Sequence, residues 1–221
     1  MSPLPSEPGR TTIPLAGSAA HITEFFGLGV NSILFQRGIY PPETFTRVSK
    51  YGLTLLVSTD PAVNTYLSAV LAQISTWLEA EHANKVQAVA LAIIGVQSGK
   101  TRERWVFELD AAASLPPGPD ENAPANHAAA PSPAPPAAKP EAEITREIRA
   151  VVRQITASVT FLPLLEEPCG FDLVVYTDRA CEVPVAWEES DPKYVVNPQQ
   201  VRLRNWATGE VRVGTVVAYA G

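Results

Sequence analysis

One stretch decides how the rest of this chain must be assembled. Between Ala111 and Glu143, nine of the chain's 21 prolines and 12 alanines accompany a single leucine and no other large apolar side chain. Proline withholds a backbone donor and fixes φ. A segment this poor in apolar surface cannot offset the entropy of ordering its residues. The stretch, 111–143, is therefore read as a disordered insertion, exposed to proteolysis. The core must then be built from the two flanking halves folded together. Setting these 33 residues aside from 221 leaves 188 of ordinary composition, enough for a domain that buries roughly 70% of its unfolded surface. Residues 1–12, MSPLPSEPGRTT, read as a flexible terminus. The domain then spans 13–221, opening on a short extended piece around 13–15.

Helical spacing places Ile22, Phe25, Phe26, Gly29, Val30, Ile33 and Leu34 on one stripe, with Ser18 as the cap and Gly38 and Pro41-Pro42 as the stop. Gly27 and Gly29 each cost about 1 kcal/mol in a helix interior, which predicts close approach of another backbone. Asp60 and Pro61 open a second helix, with Val63, Tyr66, Leu67, Val70, Leu71, Ile74, Trp77 and Leu78 as its stripe. The apolar runs Val86–Ile94 and Arg104–Leu109 flank Gly95 and Ser98-Gly99 and predict a β-hairpin. A third helix carries Ile144, Ile148, Val151, Val152, Ile155 and Val159, and is ended by Pro163. The run FDLVVYT, Phe171–Thr177, is apolar on both faces and predicts a strand covered on both sides. The pieces YVV, VRLRNW and EVRVGTVVAY follow as β-prone segments, with turn signals at Asn197-Pro198 and Thr208-Gly209. Three helices against a mainly antiparallel sheet make an α+β fold.

Composition narrows the function. A net charge of −6 argues against a nucleic-acid surface. No apolar run reaches transmembrane length and the start lacks a signal-peptide core, so no membrane is expected. Cys169 and Cys181 are the two cysteines, read as free thiols of an intracellular protein. The segment Gly95-Val-Gln-Ser-Gly99-Lys100-Thr101 imitates a phosphate-binding loop. It has three residues between its glycines instead of four, and a strand follows where a helix is required. A hairpin turn with an exposed lysine is the better reading. His21, His82 and His127 are scattered, Asp172 and Asp178 need not face each other, and Glu188–Asp191 reads as a solvated acidic turn. No metal, cofactor or catalytic set is expected, and the chain is not read as an enzyme. Trp77 and Trp105 read as core, while Trp187 and Trp206 fit core or ligand contact equally. Arg149, Arg153 and Gln154 fit a solvated helix face or a protein-binding one.

Several stretches are specific in combination. GVNSILFQRGIYPPETFTRVSKYGLTLLVSTD runs from Gly29 to Asp60 and EIRAVVRQITASVTFLPLLE from Glu147 to Glu166; FDLVVYTD, VPVAWEES, VRLRN and VVAY follow. In this order they closely resemble the spindle-checkpoint branch of the HORMA-domain family, over nearly the whole chain outside the first dozen residues and the insertion. The resemblance implies a peptide-binding switch with a mobile C-terminal safety belt, about 181–221. In the open form the belt covers a sheet edge. In the closed form it moves across the sheet and traps a partner peptide added as a strand. That edge is Phe171–Thr177. The implied peptide-binding residues are Leu173, Val175 and Tyr176, with Trp77, Val201, Val217 and Tyr219 around them. The implied contacts of an open–closed dimer are Arg153, Gln154 and Phe161, with Gln36, Thr160 and Arg204 beside them.

The implied partners are an anaphase-promoting-complex activator peptide, a coiled-coil kinetochore receptor, a pseudokinase-type checkpoint partner and an AAA+ remodelling ATPase with its adaptor. A HORMA scaffold with another client, such as a chromosome-axis protein, is the alternative. Three departures from the family pattern stand out: the long insertion, Pro14 in the short N-terminal piece, and an end two residues after Tyr219.

Overall fold

The structure, a computed structural model, describes residues 16–79, 86–111, 139–178, 181, 183–185 and 187–221. Three helices, α1 (Ala16–Gln36), α2 (Pro61–Glu79) and α3 (Glu141–Ala157), form one layer. A hairpin of β1 (Phe45–Lys50) and β2 (Leu53–Ser58) stands apart as a two-stranded sheet. The main sheet contains β3 (Val86–Gly95), β4 (Thr101–Ala111), β5 (Cys169–Thr177), β6 (Pro198–Arg202), β7 (Trp206–Ala207) and β8 (Val211–Ala220). Its order is β5-β3-β4-β8-β6, with β7 beside β8 and every pairing antiparallel. Of the expected insertion 111–143, residues 112–138 lie outside the described residues, as do the expected flexible terminus 1–12 and the extended piece 13–15; Ala111 is instead the last residue of β4. The boundary set at Glu143 is corrected. Lys139 already pairs with Glu147 at 2.6 Å, and α3 begins at Glu141.

The stripes pack as their spacing demands. Ile22, Phe25, Phe26, Val30, Ile33 and Leu34 of α1 are buried against Val63, Leu67, Val70, Ile74 and Leu78 of α2 and Ile148, Val151, Val152 and Ile155 of α3. Asp60 caps α2 through Oδ1, which accepts from the amides of Ala62 (2.8 Å) and Val63 (3.0 Å). Ser18 is not a cap; it lies inside α1 and donates to Glu210. At Gly27 a Cβ would come within 3.0 Å of Leu71 Cδ1, so the close neighbour is a side chain and not a second backbone. Buried Asn31 links α1 to β2 by donating to Gly27 O and accepting from Ser58 N, both at 2.8 Å. The helix α3 stops at Ala157, where Ser158 Oγ turns back to Ile155 O; Val159 is exposed and Pro163 falls beyond the end.

The β1–β2 hairpin was not anticipated. Tyr51 (φ 52°) and Gly52 (φ 65°) both take left-handed backbone, the geometry of a type I′ turn. The hairpin at 95–101 was anticipated. Its turn is held by Glu167, whose carboxylate accepts from Gln97 N (3.1 Å), Ser98 N (3.0 Å), Ser98 Oγ (2.7 Å) and Arg102 Nε (3.0 Å). A strand, not a helix, follows Lys100, so the phosphate-loop reading fails. A buried ion pair between Arg37 and Glu103 joins the end of α1 to the start of β4, and Arg37 also donates to Pro163 O. Burial pushes the Glu103 carboxyl up, against the opposing pull of Arg37 and Trp105.

Side chains on the strands sort by parity. In β3, Val89, Leu91 and Ile93 enter the helix-facing core, and Ala88, Ala90 and Ala92 line the opposite face. In β5, Leu173 and Val174 are buried on opposite faces, as a strand covered on both sides requires. Tyr194-Val-Val196 is not a strand. Val195 is buried in irregular backbone, with Tyr194 and Val196 exposed.

Glu167 generates a test. The Ser98 hydroxyl, Arg102 and the Ser98 and Gln97 amides hold its carboxyl at about 2, below the usual 4.5. A folded-state value below the unfolded one stabilises fully above about pH 4.5 and is lost as pH falls towards 2. Glu167→Gln should lower the urea midpoint at pH 7, with the gap from wild type closing between about pH 4.5 and 2. A gap independent of pH would show that the carboxylate's charge is not what holds the turn.

Candidate functional site: an open sheet edge beneath a strap

β5 is bonded on one side. Its register with β3 runs from Thr177↔Val86 to Cys169↔Gly95, and no described strand lies on its other side. In an antiparallel ladder the two backbone groups of a residue share a side, and successive residues alternate. The Leu173 amide donates outward to the Tyr66 hydroxyl at 3.2 Å, so Phe171 and Val175 also turn their backbone groups outward. Their side chains lean on the helix layer. The Phe171 ring meets Tyr66 at 5.7 Å and Tyr40 at 6.2 Å, both edge-on. A cleft of about 390 Å³ opens here, lined by Tyr40, Asp60, Tyr66, Phe171 and Asp172 among others. Burial and the neighbouring Asp172 carboxylate raise the Tyr66 phenol above its ordinary value, so it stays protonated and occupies the edge as a neutral hydroxyl.

Residues 178–197 leave the end of β5 and reach β6 at the far side of the sheet. Trp187 packs on Trp77 of α2 at 5.2 Å, on the helix face. Pro192 and Tyr194 lie on the other face, beside Arg104 of β4 and Tyr176 of β5. The segment thus changes face at the β5 side, as a strap. β8 then pairs with β4 from Glu103↔Tyr219 to Ala111↔Val211. The C-terminal strand occupies the β4 side of the sheet and leaves the β5 edge open.

The expected peptide-binding residues divide. Leu173, Val175 and Tyr176 sit on the open edge, the first two towards the helices and Tyr176 beneath the strap. Trp77 is 5% exposed and faces the strap through Trp187. Val201, Val217 and Tyr219 do not surround these side chains, which corrects that expectation. They stand on β6 and β8 beyond β3 and β4, about 14 Å or more from β5 at the usual strand spacing, where they anchor the strap's far end.

The expected dimer residues gather at the other end of α3. Arg153 and Thr160 are exposed, Phe161 is 43% exposed with its ring 6.5 Å from Tyr219, and Gln154 Oε1 accepts from Arg204 N at 2.7 Å. Gln36 ends α1, half-buried. Val159 and Leu164 extend this exposed apolar surface. Arg149 belongs elsewhere, packed over Gly52 in the β1–β2 turn. Trp206 resolves as core, 1% exposed against Phe25. Sequence reading missed two participants, Tyr66 and Arg104. The first was read only as a stripe residue and the second only as part of a strand. Among the described residues no group of three or more His, Cys, Asp or Glu is placed to hold a metal, and no helix is long and apolar enough to cross a membrane.

An open edge strand, a helix layer behind it and a strap around it define a strand-accepting domain. The HORMA-domain family model matches residues 18–218, and the chain belongs to this family. It is 47% identical over 207 residues to the human mitotic spindle assembly checkpoint protein MAD2A, covering 94% of this chain and 92% of that one. It is likewise 47% identical over 214 residues to MAD2A of Dictyostelium discoideum, covering 95% and 94%. A chain in the crystal structure of a mitotic checkpoint complex superposes with a TM-score of 0.77 at 40% identity, covering 93% of this chain and 99% of that one.

Tyr66 provides the test of the edge. Its hydroxyl takes the position that an added strand's carbonyl would use, so Tyr66→Phe leaves the Leu173 amide unpaired in the empty protein. The free state should lose about 0.5–1.5 kcal/mol, so a strand-forming peptide should bind about two- to tenfold tighter by calorimetric titration. The Leu173 amide should exchange hydrogen faster in the empty variant alone. Unchanged exchange would mean that the hydroxyl does not protect this edge.

Proposed function

We propose that this chain acts in the spindle assembly checkpoint as a two-position peptide-capture protein that restrains the anaphase-promoting complex by holding its activator. The observation that carries this reading is the unpaired edge of β5 enclosed by the strap, with β8 zipped to β4. An extended activator segment adds to β5 through backbone hydrogen bonds, and its side chains fall alternately towards Leu173 and Val175 and towards Tyr176. On this reading the arrangement described above corresponds to the closed form. In the open one the C-terminal segment returns to cover β5. The checkpoint names of the relatives and the mitotic checkpoint complex neighbour support the process. They do not favour a chromosome-axis client. The work is binding, with no chemical step and no cofactor.

The remaining partners follow from the same reading. The coiled-coil kinetochore receptor Mad-one supplies a competing strand for the same edge. A second, open copy docks on Arg153, Gln154, Thr160 and Phe161, flanked by Gln36 and Arg204. A pseudokinase-type checkpoint partner binds the closed form, and an AAA+ ATPase with its adaptor pulls the strap open again. The protein works at kinetochores, in the nucleus and in the cytoplasm.

Affinity capture from mitotic cells tests the client. Recovery of the activator supports the proposal; recovery of chromosome-axis proteins without it would overturn it. Arg153 tests the second surface. It is exposed on α3, off the buried stripe, so Arg153→Glu should weaken self-association at least tenfold by sedimentation velocity and leave peptide binding unchanged. Equal dimerisation of wild type and variant in mixed open and closed samples would remove Arg153 from that surface.

A further inference from the structure

Over the described residues 187–197, the strap meets the sheet at one polar junction. Arg104 stands on the strap face of β4, opposite Ala92, and Tyr176 stands on the same face of β5, opposite Ala88. The alanines between them leave the Arg104 side chain room to lie across the sheet. Its Nη2 donates to Tyr176 Oη at 2.7 Å, and its Nε donates to the Pro192 carbonyl in the strap at 3.1 Å. Tyr176 Oη also lies 3.4 Å from the Pro192 carbonyl. The guanidinium sits 5.5 Å from the centre of the Tyr176 ring and 5.1 Å from that of Tyr194, another strap residue. Among the described residues Arg104 forms no ion pair, so its charge is directed at a carbonyl and two ring faces. For residues 187–197, the described hydrogen bonds to the sheet are those from Arg104 and Tyr176.

We infer that Arg104 is the positioning residue that latches the strap over the β5 edge and thereby sets how long a captured strand is held. This rests on the capture reading above and adds to it the residue that governs release. A planar cation suits the task. It reaches a carbonyl and a hydroxyl with fixed N–H directions while stacking on aromatic rings, which an ammonium does less well. Opening the strap must break these contacts together before the enclosed strand can leave. The contribution therefore falls on the off-rate and not on the on-rate.

The test is the release of a fluorescein-labelled synthetic peptide from the activator, chased with unlabelled peptide, for the full chain. Arg104→Met keeps the length and removes the cation; release should be at least tenfold faster, with the on-rate changed less than threefold. Arg104→Lys should recover part of the hold. Tyr194→Ala, at an exposed ring, should speed release on its own and add little on top of Arg104→Met, since both break one junction. Urea midpoints of the peptide-free proteins separate this from general damage: a latch leaves the core transition of Tyr194→Ala at the wild-type value. Wild-type release rates in Arg104→Met, or in Tyr194→Ala should Arg104→Met not fold, would overturn the latch. Additive effects of the two substitutions would overturn it as well. Absence of peptide binding to the wild-type protein would instead sink the capture reading itself.

Discussion

The pairing of β8 with β4 organises the molecule. Over nine residue pairs the C-terminal strand occupies the edge of β4 that faces away from β3, and Val213 and Val217 are fully buried as a result. Burial of two such side chains contributes on the order of 3–6 kcal/mol, before any backbone bonding is counted. Three consequences follow from this one ladder. β6 and β7 gain a neighbour, the connecting segment is drawn around the sheet, and β5 at the opposite margin is left with a bare edge. An exposed edge strand is ordinarily a hazard that proteins suppress. Here the edge is shielded by the Tyr66 hydroxyl and enclosed by the strap, so only an extended chain delivered into that space can use it.

The two faces of the sheet are built to different depths. On the helix side, Val89, Leu91 and Ile93 of β3 interlock with large residues of α1 and α2 and close the main core. On the other side, Ala88, Ala90 and Ala92 present only methyl groups, and the cover is an irregular segment whose one buried side chain among the described residues is Val195. The thick face holds the fold, while the thin face has a far lighter cover. The Arg37–Glu103 pair belongs to the permanent half, since it ties α1, β4 and the segment after α3 together on the helix side.

How much could be read from the residues depended on the range of the interaction. The cap at Asp60, the α2 stripe and the turn between β3 and β4 are local, and spacing alone located them. The β1–β2 hairpin was missed although Tyr51-Gly52 lies between β-prone runs, because β1, FTRVSK, is half exposed and carries no continuous apolar stretch to pair with that of β2. Tyr194–Val196 has strand-like residues but no partner strand, so propensity misled. Val201, Val217 and Tyr219 were placed around the peptide edge because the order of strands in a sheet is a non-local property that no spacing encodes. The alternation Ala88, Ala90, Ala92 was a legible signal of a shallow outer face, and with Arg104 it would have pointed to the crossing of the strap. The dimer surface came from resemblance; residue pattern alone left Arg153 and Gln154 between a wet helix face and a docking one.

The strap's length has a geometric consequence. Five strands in the order β5 to β6 span about 19 Å across, and the chain must also travel about 23 Å along them, because β5 and β6 run in the same direction and Pro198 starts about seven residues back from the level of Thr177. The diagonal is therefore about 30 Å, whereas the twenty residues from 178 to 197 extend to roughly 66 Å. More than half of the contour exceeds this straight path, which leaves length for the detour through Trp187 on the helix face. A further strand at the β5 margin adds only about 5 Å to the path, so the loop can admit it, and side chains of quite different girth, without stretching or unzipping β8. On the capture reading, such a loop would measure the backbone it encircles more than the bulk of what that backbone carries, and unrelated sequences could pass through one and the same ring.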